Sequence, residues 1–392
     1  MAMFERIIYM ILVVSPLVYL TGGVEHVTPL SIANYLNLPS LSFINYLAFL
    51  FLFACLIFGA LKDLNKLIPI VVLVIFMVAI LFRENSIKGA IISIVSQLLI
   101  VTPVFILIGS KFHIKTELLK KIVNLYLAYL MLSILLHYLF LSYYMLIGTY
   151  LPNERAVGIF KNPNHLAAFA VLTLILFYQL ALQGFYSKNK VFIVEIMIAF
   201  VIYIAGSRSG QLFFIALILL HAYVYNRRMF LKYTLLGLLG VVIILTSDVG
   251  IEKIESLLTK RATADIQEAG NMRITILLEM LRNFSLPELL FGKGSGEGTA
   301  LYITSQAASF EKIVWLDSNI NTLTYTYGPF FTAFIFIGLV VRFFYKYGKG
   351  MSHTYSLLFL MYFMWFFNIG EYFPIIFMLL LSVLNEKGSH CK

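Results

Sequence analysis

Three arginines sit in polar stretches between long apolar runs. Arg155 lies in Asn153-Glu-Arg-Ala-Val-Gly-Ile-Phe-Lys-Asn-Pro-Asn164-His165, Arg208 in Gly206-Ser-Arg-Ser-Gly210, and Arg273 in a longer polar segment further on. A guanidinium stays charged and grips two phosphate oxygens at once, so three of them on one face would suit a phosphorylated lipid head. Each alone is equally accounted for as an interfacial anchor, with its stem along apolar surface and its head at lipid phosphates.

Their neighbours leave further alternatives open. Asn162-Pro-Asn164 is good turn and N-cap chemistry, so Asn164 either shapes the chain or binds sugar. His165 is either a first-turn helix residue or a ligand for sugar or phosphate. In the 206–210 turn, small residues serve simply to reverse the chain, which leaves Arg208 as the informative one. The stretch Gly292-Lys-Gly-Ser-Gly-Glu-Gly298 lacks the spacing of a phosphate loop and reads as a hinge or an amide-lined wall. For a general base the same side of the chain offers Glu154, Glu297, Asp317 and Glu371. Asp317, with Ser318 and Asn319, immediately precedes an apolar run, so capping that helix competes with catalysis. Glu371 sits in the Asn368-Ile-Gly-Glu-Tyr372 break.

The elements that must carry these residues follow from composition. Of 392 residues 61% are hydrophobic and 12% charged, against roughly 45–50% and 25% in soluble domains. This excludes a soluble enzyme, a nucleic-acid binder and a disordered chain, and the +10 charge serves mainly to orient the chain in a bilayer. Apolar runs centre on residues 7–21, 43–61, 67–82, 88–109, 121–147, 165–184, 190–205, 210–225, 231–247, 320–344, 354–368 and 372–385. Backbone polar groups must be satisfied inside a bilayer, so these runs predict an all-α polytopic protein of about twelve spans. With the N-terminus placed in the cytoplasm, seventeen Lys and Arg fall at inner ends and five, Arg83, Lys88, Arg155, Lys161 and Arg208, in short outer loops. Both termini are then cytoplasmic.

Three regions result: spans one to nine over 1–247, a large outer loop over 248–318, and spans ten to twelve with the C-terminus over 319–392. The loop holds ten of the nineteen acidic residues and reads as a helical cap. Residues 251–259 and 271–284 predict short amphipathic helices, the second burying Ile274, Leu277, Leu278 and Leu281. Cys55 and Cys391 have no disulfide or metal-type spacing. The first apolar run lacks a small-x-small cleavage site and is expected to be a span. Intramembrane ionisable residues are few, Glu195, His137 and His221, which argues against a proton-coupled transporter.

The ordered series Arg155-x-x-Gly158-x-x-x-Asn162-Pro-Asn164, Gly206-Ser-Arg208-Ser-Gly210, Arg273 before Pro287 and Gly292, Asp317-Ser-Asn319 and Tyr327-Gly328 resembles the O-antigen polymerase and ligase superfamily. The likeness covers about residues 150–345; before that it consists only of multiple spans. It implies a GT-C-like membrane glycosyltransferase of the bacterial inner membrane that needs no metal and no cofactor. Undecaprenyl-diphosphate-linked oligosaccharide would be both donor and acceptor on the periplasmic side. Membrane lipid and a chain-length regulator protein are the other implied partners, with no nucleic acid. Arg208 and Arg273 match the arginines that hold the donor diphosphate, with Arg155 as a third candidate. The ligases carry a His, in a His-Asn pair, where this chain has Asp317; that departure favours a repeat-unit polymerase over a ligase moving glycan to lipid A-core. A lipid-linked oligosaccharide flippase is the alternative of a different class.

Overall fold

The computed structural model describes residues 116–146, 156, 158–160, 163–225, 231, 235, 277–278, 280–293, 300–304, 311–315, 319–333, 336–337, 340–341 and 360. Four successive helices form its centre: α1 Thr116–Leu146, α2 Pro163–Leu182, α3 Lys188–Ala205 and α4 Arg208–Tyr225. They coincide within a few residues with the runs at 121–147, 165–184, 190–205 and 210–225. Their boundaries have local causes. Pro163 opens α2, where its missing N–H costs no helical bond. Ser187 caps α3 by accepting the Lys190 N–H at 3.4 Å. At its far end Gly206 turns left-handed, φ 59°, and donates its N–H to the carbonyls of Ile202 and Tyr203.

Among the described residues two helical stretches, Glu117–Leu139 and Pro163–Leu182, are long and apolar enough to cross a membrane, and Ser209–Tyr223 is a shorter apolar one. With the composition above, this is a membrane protein. The helices reverse direction at each turn. Pro163, Gly206 and Arg208 therefore share one end of the bundle, hereafter the Gly206 end, while Leu182, Lys188 and Tyr225 share the other, the Lys188 end.

Helix α2 is the axis. Apolar on every side in sequence, it is buried on every side in the fold, from Leu166 to Leu180 with only Ala168 half-exposed. Its neighbours each keep an apolar outer face: Leu135 and Leu139 on α1, Ile193, Ile196 and Tyr203 on α3, Leu212 and Ile215 on α4. Those faces suit lipid, which is as apolar as leucine, so close packing and hydrogen bonds rather than water exclusion hold the helices together. At the Lys188 end the loop between α2 and α3 folds back. Tyr186 stacks on Phe177 with centroids 4.3 Å apart, donates to Asn124 Oδ1 at 3.0 Å, and has the Lys190 ammonium 4.4 Å above its ring. Burial pushes its phenol up to about 12.

Beyond the four helices, the described part of residues 248–318 corrects the sequence reading twice. Residues 281–283 are helical as expected, but Leu278 and Leu281 are exposed; Met280 and Phe284 are buried instead. Leu277, on the expected face, is half-buried, and the buried positions that follow it are 280 and 284, a spacing of three and four; Ile274 lies outside the described residues. Besides the short helix α5, Leu286–Phe291, an antiparallel hairpin is present, β1 Ala300–Thr304 pairing with β2 Glu311–Trp315. Its β-branched Ile303, Thr304, Ile313 and Val314 favour that pairing, which the reading of the segment as a helical cap with two short helices did not include.

The tenth run is also not one helix. Helix α6, Asn319–Tyr327, stops at Gly328, φ +89°, and helical structure resumes at residue 329. A side chain in that conformation is strained, so glycine marks the break. The runs at 7–21, 43–61, 67–82 and 88–109, residues 251–259, and the runs at 354–368 (apart from Leu360) and 372–385 lie outside the described residues. Of the run at 231–247, Leu231 and Leu235 are described, and both are helical.

Candidate functional site

At the Gly206 end the loop from α3 to α4 is built by its small residues. Ser207 is buried; its Oγ accepts the Gly210 N–H at 3.3 Å and its carbonyl accepts the Gln211 N–H at 3.0 Å. These bonds cap α4 and make Arg208 its first residue. Gly210 then lets α4 lie directly on α2, for a Cβ there would come 2.8 Å from the Cβ of Ala167.

The chain ahead of α2 is stitched to the same place. The Ala156 N–H donates to the Ile204 carbonyl at 2.8 Å. Gly158, φ +59°, lies so close to α1 that a Cβ would meet Ser133, 2.6 Å from its Oγ and 2.8 Å from its Cα. Ser133 Oγ accepts the Ile159 N–H at 3.3 Å and donates to the Tyr129 carbonyl at 2.8 Å. Phe160 packs on Phe169 of α2, which packs in turn on Tyr126 of α1, both with centroids 4.9 Å apart. Ala156 follows Arg155 in the chain, and Ile204 precedes Arg208 by four residues. Two arginine-bearing segments about fifty residues apart in sequence are therefore joined by backbone.

The electrostatics of this end favour an anion. Helices α2 and α4 both begin here, and each N-terminus carries roughly half a positive charge on amides without an intrahelical acceptor. Arg208 is the first residue of one of them.

The sequence-based candidates fall as follows. Arg208 opens α4, four residues after Ile204, whose carbonyl accepts the Ala156 N–H. Asn164 is the second residue of α2, inside its first turn, and half-buried. His165, third in α2, is buried in the bundle. Arg155, Arg273, Asp317 and Glu371 lie outside the described residues, as do Glu154 and Glu297. Helix α6 begins at Asn319, two residues after Asp317. Sequence reading missed the contributions of Ser133, Gly158, Ser207 and Gly210. A lone serine inside the apolar stretch around residue 133 was the available signal for the first.

A second junction unites two elements of the resemblance. The Lys293 N–H donates to the Tyr325 carbonyl at 2.7 Å. The position of a Cβ on Gly328 is 2.7 Å from the Leu289 carbonyl oxygen, 2.9 Å from the Gly292 nitrogen and 3.0 Å from the Glu288 carbonyl oxygen. Helix α5, held by Ser285 donating to Glu288 Oε2 from N at 2.7 Å and from Oγ at 2.8 Å, is thus pressed backbone to backbone onto the break in α6. Leu323 and Tyr327 of α6 belong to the same buried apolar cluster as α1 to α4. Among the described residues no group of three His, Cys, Asp or Glu is placed to hold a metal ion. Comparison with protein-family models, with curated proteins and with solved structures returns no match.

Proposed function

We propose that the chain is a membrane glycosyltransferase of the bacterial inner membrane that polymerises oligosaccharide repeat units carried on undecaprenyl diphosphate. The observation that supports it most is the Ala156 to Ile204 bond at the end where α2 and α4 begin. It ties the segments of Arg155 and Arg208 to a place already favourable to an anion. In this reading the Gly206 end faces the periplasm, both termini face the cytoplasm, and the chain has about twelve spans in a GT-C-like arrangement.

The chemistry needs little else. A hydroxyl of the acceptor's terminal sugar attacks the anomeric carbon of the donor with inversion, and the glycosyl–phosphate bond breaks. The hydroxyl proton passes to a carboxylate, Asp317 or Glu371. The electron pair leaves on the lipid diphosphate, whose charge Arg208 and Arg273, with Arg155, meet in a water-poor groove. Asn164 and His165 shape the floor of that groove by their place in the first turn of α2. A chain-length regulator would be the protein partner.

The test is the surface glycan of a strain lacking this chain, resolved on a gel. A polymerase loss leaves lipid A-core with a single repeat and no ladder. A core with no repeat at all would replace this reading with a ligase or a flippase, since either is needed before any repeat reaches the core, and an unchanged ladder would end all three readings.

A further inference from the structure

Tyr178, Glu195 and His221 were three unrelated polar positions in sequence, and the fold brings them together from α2, α3 and α4. Tyr178, fully buried, donates its hydroxyl to Glu195 Oε1 at 2.5 Å. The face of its ring lies on the His221 imidazole, centroids 3.8 Å apart and planes within 4°. The cluster is nearer the Lys188 end, fifteen residues along α2 from Pro163, or about 22 Å at the rise of an α-helix.

We propose that Tyr178 and Glu195 are positioning residues, a polar clamp that fixes how far α2 slides along α3 and α4 and thereby sets the seam at the opposite end. Most of what surrounds α2 is aliphatic, and aliphatic contacts have no preferred partner along a helix, so neighbouring registers are close in energy. A hydroxyl in an apolar segment is different, because it needs one acceptor at one height. Displacing α2 by one turn, about 5.4 Å, would break both the hydrogen bond and the ring stack. A helix is stiff over this length, so register fixed at Tyr178 is register delivered at Ala167. There it matters most, since Gly210 tolerates only a small residue opposite it. The clamp rests on the polymerase reading only where activity is the readout.

The experiment therefore carries a readout independent of glycan. In full-length protein with Cys55→Ser and Cys391→Ser, Ala156→Cys and Ile204→Cys report the seam through the rate of disulfide formation. Their backbones are joined by the Ala156 N–H to Ile204 carbonyl bond at 2.8 Å, and the rate in the otherwise wild-type protein is the reference. Tyr178→Phe and Glu195→Leu are expected to slow the cross-link by roughly threefold or more and to lower the melting temperature by about 2–4 °C. Glu195→Gln keeps the acceptor and is expected to restore both. The pair Tyr178→Phe with Glu195→Leu removes both polar ends of the bond together, so melting recovers while the slow cross-link and the lost polymer persist. A cross-link that recovers together with melting would reduce the clamp to ordinary stabilisation, and Glu195→Gln behaving like Glu195→Leu would remove the hydrogen bond from the argument. Should wild-type protein make no polymer, the cross-link series still decides the clamp.

Discussion

A methyl group on Gly210 would lie 2.8 Å from the Cβ of Ala167, closer than two such carbons approach in a relaxed structure. Ala167 has no flexible end to move aside, so the helices themselves must part. Gly210→Ala is expected to cost about 1–3 kcal/mol and Gly210→Leu more. Ala167→Gly should repair Gly210→Ala, because it returns the missing space from the other side. Melting in detergent of the two single variants and the double checks this; a double no better than Gly210→Ala would place the strain elsewhere.

Gly158 is constrained twice, by its positive φ and by Ser133. Alanine there meets a backbone penalty of about 1–2 kcal/mol before any clash. Ser133→Ala removes the acceptor of the Ile159 N–H and the donor to the Tyr129 carbonyl, about 1 kcal/mol each, and relieves no clash. The expected order of damage is Gly158→Ala well beyond Ser133→Ala, read as loss of polymer per inserted protein. Equal effects would mean that the turn is held by something other than this contact.

Gly328 offers no such repair, since the atoms facing it are backbone of Glu288, Leu289 and Gly292. Gly328→Ala should undock α5 from α6. Limited proteolysis reads it directly: cleavage within residues 284–293 is expected to rise several-fold while the four central helices stay protected. Unchanged cleavage would show that the junction yields without separating.

Tyr186 carries the pH dependence. Its phenol is raised from 10.0 to about 12 by burial, so the fold favours the neutral form. That contribution is complete below pH 10 and is lost as pH rises through 12. Wild-type protein should therefore lose stability between pH 10 and 12 more steeply than Tyr186→Phe, with no difference in slope at pH 7–9. Parallel curves above pH 10 would contradict the assignment.

The proposed roles of the ionisable groups separate by variant type. Arg208→Ala and Arg273→Ala should each reduce polymer by about 10²–10³-fold with the protein still inserted. Arg208→Lys keeps the charge and loses the fork, so it should fall between alanine and wild type. Asp317→Asn making normal polymer would leave Asp317 a structural residue. Full activity in either arginine variant would remove that residue from the diphosphate site.

The residues differ in how far sequence could reveal them. Runs of apolar residues between glycines and prolines located α1 to α4 within a few positions, because helix existence and length depend on local chemistry. What lies across from what does not. Nothing in the order of residues says that Glu195 faces Tyr178, or that Gly210 faces Ala167, since both depend on the rotation of one helix against another. The same limit applies near Met280, where Leu278 and Leu281 are exposed, and to the hairpin, where the pairing of one strand with another decides the outcome. Gly328 follows Tyr327 in an ordinary-looking pair, yet the sequence alone does not show that it ends α6 with α5 pressed against it. At the candidate site, Arg208 was legible as an unusual charge in a short turn. Ser207 was passed over because a small residue in a turn has an ordinary explanation.

The complete burial of α2 has a consequence for how the chain is made. Synthesis runs from the N-terminus, so α2 leaves the insertion machinery before α3 and α4 exist to cover it. Its first solvent is lipid and its last is protein, which asks only that it be hydrophobic at first and shape-complementary later. Thr173 and Gln179 are tolerable passengers in the first environment and buried in the second. Substitutions on this helix should therefore leave the yield of inserted chain untouched and appear only at assembly, as a correctly threaded protein that never consolidates.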